Sequence, residues 1–131
     1  DGMSQKHSDY RVVAGEVRLP APLSYYAVSP AGDVIGYWRG RVFLTGSPDK
    51  DGYIRFTLIR DDGTRTYPRR PQLICSAFHG PCPEGMEVRH LNGLSTDDRS
   101  DNLCWGTHQE NIDDRERHRS MRRAVAMGAS L

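Results

Sequence analysis

The sequence is short of lysine, of paired cysteines and of long apolar runs. Only Lys6 and Lys50 are lysines, so sixteen of the 18 basic residues are arginines. The three cysteines form no Cys-x-x-Cys pair, which argues against a structural zinc site or a disulfide framework and favours a reducing compartment. No segment reaches the apolar length of a membrane span, and no signal-peptide pattern is present. We therefore expect a soluble intracellular protein with no membrane partner.

A strong excess of one charge is also missing, because 18 basic and 17 acidic residues give a net charge of +1 over 131 residues. Bulk electrostatics therefore do not mark the chain as a nucleic-acid binder. The arginine bias has two explanations that stay open. The planar guanidinium suits phosphate oxygens, and a GC-rich genome favours arginine codons. The length is that of one ordinary domain with a modest core.

The first half of the chain predicts an extended arm followed by β structure. Residues 1–24 are polar and interrupted by prolines, so we expect an extended arm there. Over residues 25–68 apolar and polar side chains alternate, most clearly between Ile54 and Leu58, which predicts strands with one buried face. The segment Asp61–Gly63 is typical of a hairpin turn that tolerates positive φ. This half is expected to form one small antiparallel sheet.

A change of period over residues 69–79 predicts a helix that packs against this sheet. Apolar side chains from Leu73 to Phe78 fall on one side of that helix. Pro71 suits its first turn, and Gly80 supplies a left-handed residue just past its end. We assign this helix to the core and give it no chemical role.

The C-terminal part predicts two strands and a second helix. Residues 86–91 form the first strand, a polar loop follows, and the second strand begins at Asn102. Thr107 and Glu110 make a capping box, so the helix is expected to start just after the threonine. The helix is rich in arginine and lacks an apolar stripe, so it is either solvated or laid against a charged partner such as DNA. Residues 124–131 are expected to form a frayed tail.

A histidine and two asparagines stand at positions that this arrangement brings together. His90 ends the first strand, Asn102 begins the second, and Asn111 lies in the first turn of the helix. An imidazole can accept a proton from water near neutral pH, and an amide oxygen can bind a hard metal ion. Each residue taken alone fits a structural role in a turn, strand or helix. Together they are the parts needed to hydrolyse a phosphodiester.

Four motifs within about residues 77 to 118 keep a fixed spacing: Ala77-Phe-His-Gly-Pro81, Pro83-Glu-Gly-Met-Glu-Val-Arg-His-Leu-Asn-Gly93, Asn102-Leu-Cys-Trp-Gly-Thr107 and Glu110-Asn111. In these motifs the segment resembles the HNH, or ββα-metal, nucleases, and most closely the small homing-type endonucleases of phages and introns. A weaker likeness upstream, in Tyr26–Val34 and Lys50–Arg55, extends the resemblance to about residues 25–118.

This resemblance implies an α+β fold. A small N-terminal antiparallel β region over residues 25–68 would be followed, over 69–123, by a helix and a ββα-metal module with an arginine-rich C-terminal helix. The arm over 1–24 and the tail over 124–131 would flank these two parts.

The resemblance also implies a role for each residue of the set. His90 matches the general base that activates water, and Asn102 the asparagine that orients the histidine ring or its loop. Asn111 matches the helix residue that binds one divalent ion, expected to be Mg²⁺, with Mn²⁺ as the alternative. The implied activity is nicking or cutting of double-stranded DNA, leaving a 5′-phosphate and a 3′-hydroxyl. The implied setting is the cytoplasm of a phage-infected or bacterial cell, with the protein a monomer or a homodimer.

Two positions depart from the family pattern. Arg89 stands where many relatives have a second metal ligand, so we assign it to the catalytic group as a phosphate contact, with a salt-bridged surface arginine as the alternative. A second ligand would then be absent or supplied by Asp97, Asp98 or His79. Pro71 replaces a histidine that is common in relatives. The rival hypothesis is a non-catalytic DNA-binding module with a degenerate HNH fold.

Contacts to the DNA backbone are expected from the C-terminal helix. We assign them to Arg115, Arg117, Arg119 and His108. Such contacts hold phosphates without reading the base sequence, and they make binding weaken steeply with salt.

Overall fold

Four short antiparallel strands form a sheet near the N-terminus. The structure is a computed structural model that describes residues 11–128. A turn over residues 30–33 joins the second strand to the third, and Gly32 adopts the positive φ of +100° that the turn requires. In chain order, which is also their order in the sheet, the strands are β1 (Val17–Arg18), β2 (Tyr26–Val28), β3 (Val34–Gly36) and β4 (Val42–Phe43).

The extended arm predicted for residues 1–24 is partly wrong. Strand β1 pairs with β2, so that Val17 lies opposite Val28. The next apolar residue, Leu19, is buried in the core. Burial of this side chain therefore holds the segment on the sheet although its own sequence does not alternate. The first ten residues of the predicted arm lie outside the described residues.

The next part of the chain forms two separate hairpins instead of extending the sheet. Alternation between Ile54 and Leu58 predicted one strand, but the ladder breaks at Phe56, whose N–H donates to the Pro68 carbonyl at 3.0 Å. A single antiparallel sheet is thus wrong, whereas the hairpin turn ending at Gly63 is present. The first hairpin pairs β5 (Ser47–Pro48) with β6 (Ile54–Arg55), and the second pairs β7 (Leu58–Ile59) with β8 (Arg65–Thr66).

Helix α1 spans Arg70–His79, close to the predicted bounds. Pro71 lies in its first turn, and Gly80 follows its last residue at φ +84°, a left-handed conformation that suits glycine. Leu73 and Ile74 are buried. The helix packs against both the N-terminal strands and the C-terminal hairpin.

That hairpin is antiparallel and joins β9 (Met86–His90) to β10 (Leu103–Thr107). A short 3-10 turn at Ser100–Asn102 precedes β10. The second strand therefore begins one residue later than predicted, because Asn102 belongs to the turn. The polar segment between the two strands is the predicted loop.

Helix α2 spans His108–Ala126 and begins at the predicted capping box. Oγ1 of Thr107 accepts a hydrogen bond from the Glu110 N–H at 3.1 Å, and Oε1 of Glu110 accepts one from the Thr107 N–H at 2.8 Å. The frayed tail predicted for residues 124–131 is wrong as far as Ala126, because the helix continues that far. Residues 129–131 lie outside the described part of the chain.

One hydrophobic core joins the N-terminal half to the C-terminal hairpin. Val28, Leu58, Ile74 and Leu103 belong to it, and none is more than 2% exposed. Removing such side chains from water is the main favourable contribution to folding. The C-terminal hairpin is therefore supported by both halves of the sequence. Within residues 11–128, no helix is long and apolar enough to cross a membrane.

Candidate active site

A polar cleft of about 150 Å³ lies between β9 and α2. His90 and Asn111 both line it, so the fold brings together the imidazole and the amide that the sequence analysis assigned to one site. The rest of the wall comes from β9, the loop after it, α2 and one tyrosine. These residues are Tyr53, Glu87, Val88, Gly93, Ser95, Asp114, Arg115, His118 and Arg122.

His90 is held by a buried carboxylate. Its Nε2 lies 2.7 Å from Oδ1 of Asp98, whose side chain is fully buried. The second oxygen of Asp98 accepts a hydrogen bond from Nε of Arg70 at 2.8 Å. A neutral imidazole carries its proton on the nitrogen that faces a carboxylate, so Nε2 is the donor and Nδ1 keeps its lone pair. Within residues 11–128 no group is hydrogen-bonded to Nδ1, which leaves it available to a water molecule.

Asn102 fixes the loop between the two strands. Its side chain is buried, and its Oδ1 accepts a hydrogen bond from the Asn92 N–H at 3.0 Å. Its Nδ2 donates to Oδ1 of Asn92 at 2.9 Å and to the Asp97 carbonyl at 2.8 Å. Because the same loop carries Asp98, which contacts the His90 ring, Asn102 affects His90 indirectly, through the position of Asp98. Of the two roles predicted for Asn102, its contacts correspond to orienting the loop. The His90 ring is contacted by Asp98 instead.

Asn111 docks against β9. Its Nδ2 donates to Oε1 of Glu87 at 2.6 Å and to the Val88 carbonyl at 3.0 Å. Since the nitrogen is used in this way, the amide oxygen remains for another ligand. The hydrogen bond from Asn111, helped by His108, lowers the pKa of the Glu87 carboxyl below its ordinary value. An ionised carboxylate on β9 and the amide group of Asn111 on α2 therefore adjoin in the cleft.

Arg89 does not line the cleft and is ion-paired. Its Nε and Nη2 donate to the two carboxylate oxygens of Asp114 at 2.8 and 3.0 Å, and this pairing raises the pKa of the guanidinium. The side chain passes over Gly106, where any Cβ would lie 2.1 Å from Cδ of the arginine. In the structure Arg89 is thus ion-paired, as in the salt-bridged alternative, and it is not among the residues that line the cleft. The physical reason is a bidentate carboxylate within reach.

The three side chains proposed as a second metal ligand are engaged elsewhere. Asp97 pairs with Arg99 at 2.8 Å, which holds the pKa of this carboxyl well below its usual range. Asp98 holds the histidine, and Nε2 of His79 lies 2.7 Å from the Ser100 carbonyl. Among the residues from 11 to 128, no three His, Cys, Asp or Glu side chains gather into a metal-binding cluster. The carboxylate that adjoins Asn111 is that of Glu87.

The four predicted DNA contacts differ in how far they are neutralised. Arg117 and Arg119 each pair with a carboxylate one turn earlier on α2, at 2.9 Å. His108 is exposed, and its Nδ1 lies 3.3 Å from Oε1 of Glu87. Arg115 is the one of the four that lines the cleft. It is therefore the best placed of them to meet a phosphate there.

Sequence reasoning missed the contacts of three side chains in or beside the cleft, those of Asp98, Glu87 and His118. The pairing of Asp98 with His90 joins two residues eight positions apart across a loop without periodicity, so no local signal marked it. Glu87 stands on the same predicted strand as the histidine, and that position could have indicated it. His118 follows Asn111 by seven residues, or two helical turns, a spacing that puts both on one face.

Comparison with known proteins relates this geometry to a family. Residues 72–112 match the family model described as HNH endonuclease. The fold is similar to that of the HNH homing endonuclease I-HmuI, from a structure concerned with its DNA binding and cleavage, with a TM-score of 0.61 and 24% sequence identity. The match covers 86% of this chain but 60% of that one, and at this identity it establishes likeness of fold. Comparison with curated proteins found no match.

Proposed function

We propose, from the match of residues 72–112 to the family model described as HNH endonuclease, that the chain is a divalent-metal-dependent endonuclease acting on duplex DNA. The observation that carries the proposal is the shared cleft. His90 and Asn111 both line it, and their hydrogen bonds use Nε2 of the imidazole and Nδ2 of the amide, which leaves Nδ1 and the amide oxygen for other ligands. The strand-strand-helix order of β9, β10 and α2, and the likeness in fold to a homing endonuclease, support it.

In the proposed reaction His90 acts as the general base. Its Nδ1 takes a proton from a water molecule while the water oxygen attacks phosphorus and the bond to the 3′-oxygen breaks. The proton stays on the imidazole, whose positive charge then faces the Asp98 carboxylate across 2.7 Å. Arg70, on the other oxygen, keeps that carboxylate from rotating. The leaving 3′-oxygen takes a proton from solvent, so the products are a 5′-phosphate and a 3′-hydroxyl.

A divalent ion fits the donor set beside His90. The amide oxygen of Asn111 and the carboxylate of Glu87 are hard ligands of the kind that Mg²⁺ and Mn²⁺ accept. Because Mg²⁺ keeps several waters, two protein oxygens and a substrate phosphate make a sufficient shell. The bound ion would neutralise charge on the phosphate and on the leaving oxygen. In this proposal Glu87 takes the ligand role that Arg89 cannot perform.

Duplex DNA is the proposed partner because cations border the cleft. Arg115 lines it directly, and Arg117, Arg119 and His108 extend along the same exposed helix. The carboxylate partners of the last three reduce their net charge, so we propose them as secondary contacts. Backbone contacts of this kind orient the duplex, and the site then acts on the phosphate that reaches it.

A plasmid-nicking assay with Mg²⁺, Mn²⁺ and EDTA tests this function. We expect supercoiled DNA to become open-circular or linear with either metal and to stay intact in EDTA. A gel-shift measurement on the same protein reports binding separately. DNA binding without cleavage under either metal would support the rival, a non-catalytic DNA-binding module. The ion-paired Arg89 at a usual ligand position is the observation that favours this rival.

A further inference from the structure

A stripe of polar and basic side chains runs along α2 beyond Asn111. At 3.6 residues per turn, Asn111, Arg115, His118 and Arg122 fall within about 60° of one another around the helix axis. All four line the same cleft. His118 lies about 10 Å farther along the axis than Asn111. The distal part of the stripe is therefore too far away to hold the phosphate that Asn111 approaches.

His118 has an unfilled hydrogen-bonding position. Its Nε2 is withdrawn from solvent and has no hydrogen-bond partner among residues 11–128. Buried polar atoms in proteins are nearly always partnered, by protein groups or by water, so this nitrogen has a hydrogen bond to offer to a group that enters the cleft. The ring packs against Gly93, where a Cβ would come within 2.8 Å of two ring carbons. The absence of a side chain at this glycine lets the imidazole occupy its position.

Within the described residues the two arginines of the stripe have no ion-pair partner, unlike Arg117 and Arg119 on the same helix. Arg117 and Arg119 each have a carboxylate partner at 2.9 Å. Arg115 and Arg122 make no ion pair in the part of the chain that the structure describes. Two unpaired guanidinium groups repel a metal cation and attract an anion. A ligand that binds Nε2 of His118 beside these two cations is therefore an anion with hydrogen-bond acceptors, such as a phosphate.

We propose that Arg115, His118 and Arg122 form a subsite for a second backbone phosphate of the bound DNA, one that is not cleaved. This inference rests on the proposed function, because DNA held at Asn111 supplies the phosphate. The two guanidinium groups and the Nε2–H of the imidazole donate to its oxygens. Arg122 borders both the cleft and an apolar groove next to it that Leu94, Met121 and Val125 line, and His118 borders both as well, so the two side chains can act on one ligand. The subsite fixes the register of the strand whose neighbouring phosphate is attacked.

The test compares two adjacent arginines. Arg122→Ala removes a cation from the stripe, whereas Arg123→Ala removes the same charge from a position about 100° around the helix. A fluorescent duplex is titrated with each protein in EDTA, so that binding is measured without cleavage, at several salt concentrations. Each phosphate contact contributes about 0.9 to the slope of log affinity against log salt. We expect Arg122→Ala to lower the slope by about that amount and Arg123→Ala to leave it unchanged.

A second variant probes the orphan nitrogen. His118→Ala is expected to weaken DNA binding about tenfold at fixed salt, as for the loss of a hydrogen bond to a charged group, while the circular dichroism spectrum stays that of the wild type. If either Arg122→Ala or His118→Ala binds like the wild type, the subsite is wrong. Equal slope losses in the two arginine variants would also overturn it, because they would reflect general attraction to the helix.

Failure of the proposed function gives a different pattern. If the wild type never cleaves DNA with Mg²⁺ or Mn²⁺ but Arg122→Ala still lowers the salt slope, the subsite stands on a binding module. If the wild type cleaves and the slope is unaffected, the endonuclease stands and the subsite is refuted. A wild type that does not bind DNA at all refutes both.

Discussion

Replacing Asp98 by asparagine tests how His90 is made ready to accept a proton. The variant keeps the size of a fully buried side chain but removes the charge that faces Nε2 at 2.7 Å. When the new amide presents its NH₂ group to Nε2, the ring proton must move to Nδ1, and the lone pair leaves the cleft. When the amide presents its oxygen instead, the imidazolium formed in the reaction lacks a counter-charge.

Both consequences slow the chemical step while leaving the proposed DNA contacts in place. General-base catalysis contributes about 10²- to 10⁴-fold, so we expect the single-turnover cleavage rate of Asp98→Asn to fall by a factor in that range. Arg70 also loses the charge of its partner at 2.8 Å. A hydrogen bond to a charged group contributes about 1.5–3 kcal/mol, so the free energy of unfolding is expected to fall by a similar amount.

Single-turnover cleavage of supercoiled plasmid in Mg²⁺, with protein in excess, measures this effect, and titration in EDTA measures DNA affinity. Asp101→Asn is the matched control, because Asp101 lies near the end of the same loop with 79% of its side chain exposed. We expect the control to cleave like the wild type. A folded Asp98→Asn protein that cleaves at the wild-type rate would refute the argument about the histidine tautomer.

The remaining expectations concern a salt bridge, a metal ligand and an acid-sensitive carboxylate. Arg89→Met breaks the bidentate pair with Asp114, so the free energy of unfolding in urea is expected to fall by about 1–3 kcal/mol while DNA affinity stays unchanged. Weaker DNA binding by this variant would instead support a phosphate contact for Arg89. Glu87→Gln is expected to lower the Mn²⁺ affinity measured by calorimetry about tenfold, since the charge of a ligand affects its affinity for the ion. An unchanged affinity would show that Glu87 is not a metal ligand. Burial raises the pKa of Asp49, but hydrogen bonds from two backbone amides and two arginines outweigh it and leave the pKa at about 2. Because the pKa of Asp49 in the folded protein is depressed from 3.8, its stabilising contribution is present above about pH 4 and is lost as the pH falls towards 2. The unfolding free energy of Asp49→Asn in urea should therefore depend less on pH in this range, and an unaltered pH profile would show that Asp49 is not an acid-sensitive contact.

Signals that act within a few residues predicted the backbone of the site. Thr107 and Glu110 bounded α2 because a capping box involves only its own turn. Pro71 and Gly80 bounded α1 for a similar reason, since each acts on its own φ angle. Because the strands β9 and β10 and the helix α2 follow one another directly along the chain, the end of the first strand and the first turn of the helix were expected to lie close together. This predicted a shared location for His90 and Asn111.

Partners distant in the sequence were not predictable in the same way. Arg89 meets a carboxylate 25 residues later, and Asp98 turns back to His90 across an irregular loop. Both pairings depend on how separate elements pack, which no spacing rule describes. The same holds for Val17–Arg18, which joins the sheet because neighbouring Leu19 is buried in a core built from later residues. The order of elements was thus readable from local pattern, whereas the charge partners of the site were not.

Metal-dependent cleavage by His90→Ala decides whether His90 is the general base. We expect this variant to bind duplex DNA in EDTA, and to bind Mn²⁺, as tightly as the wild type. Its single-turnover cleavage rate in Mg²⁺ is expected to fall by about 10²- to 10⁴-fold. If His90→Ala instead cleaves plasmid at the wild-type rate, some other group activates the attacking water and the proposed mechanism is wrong.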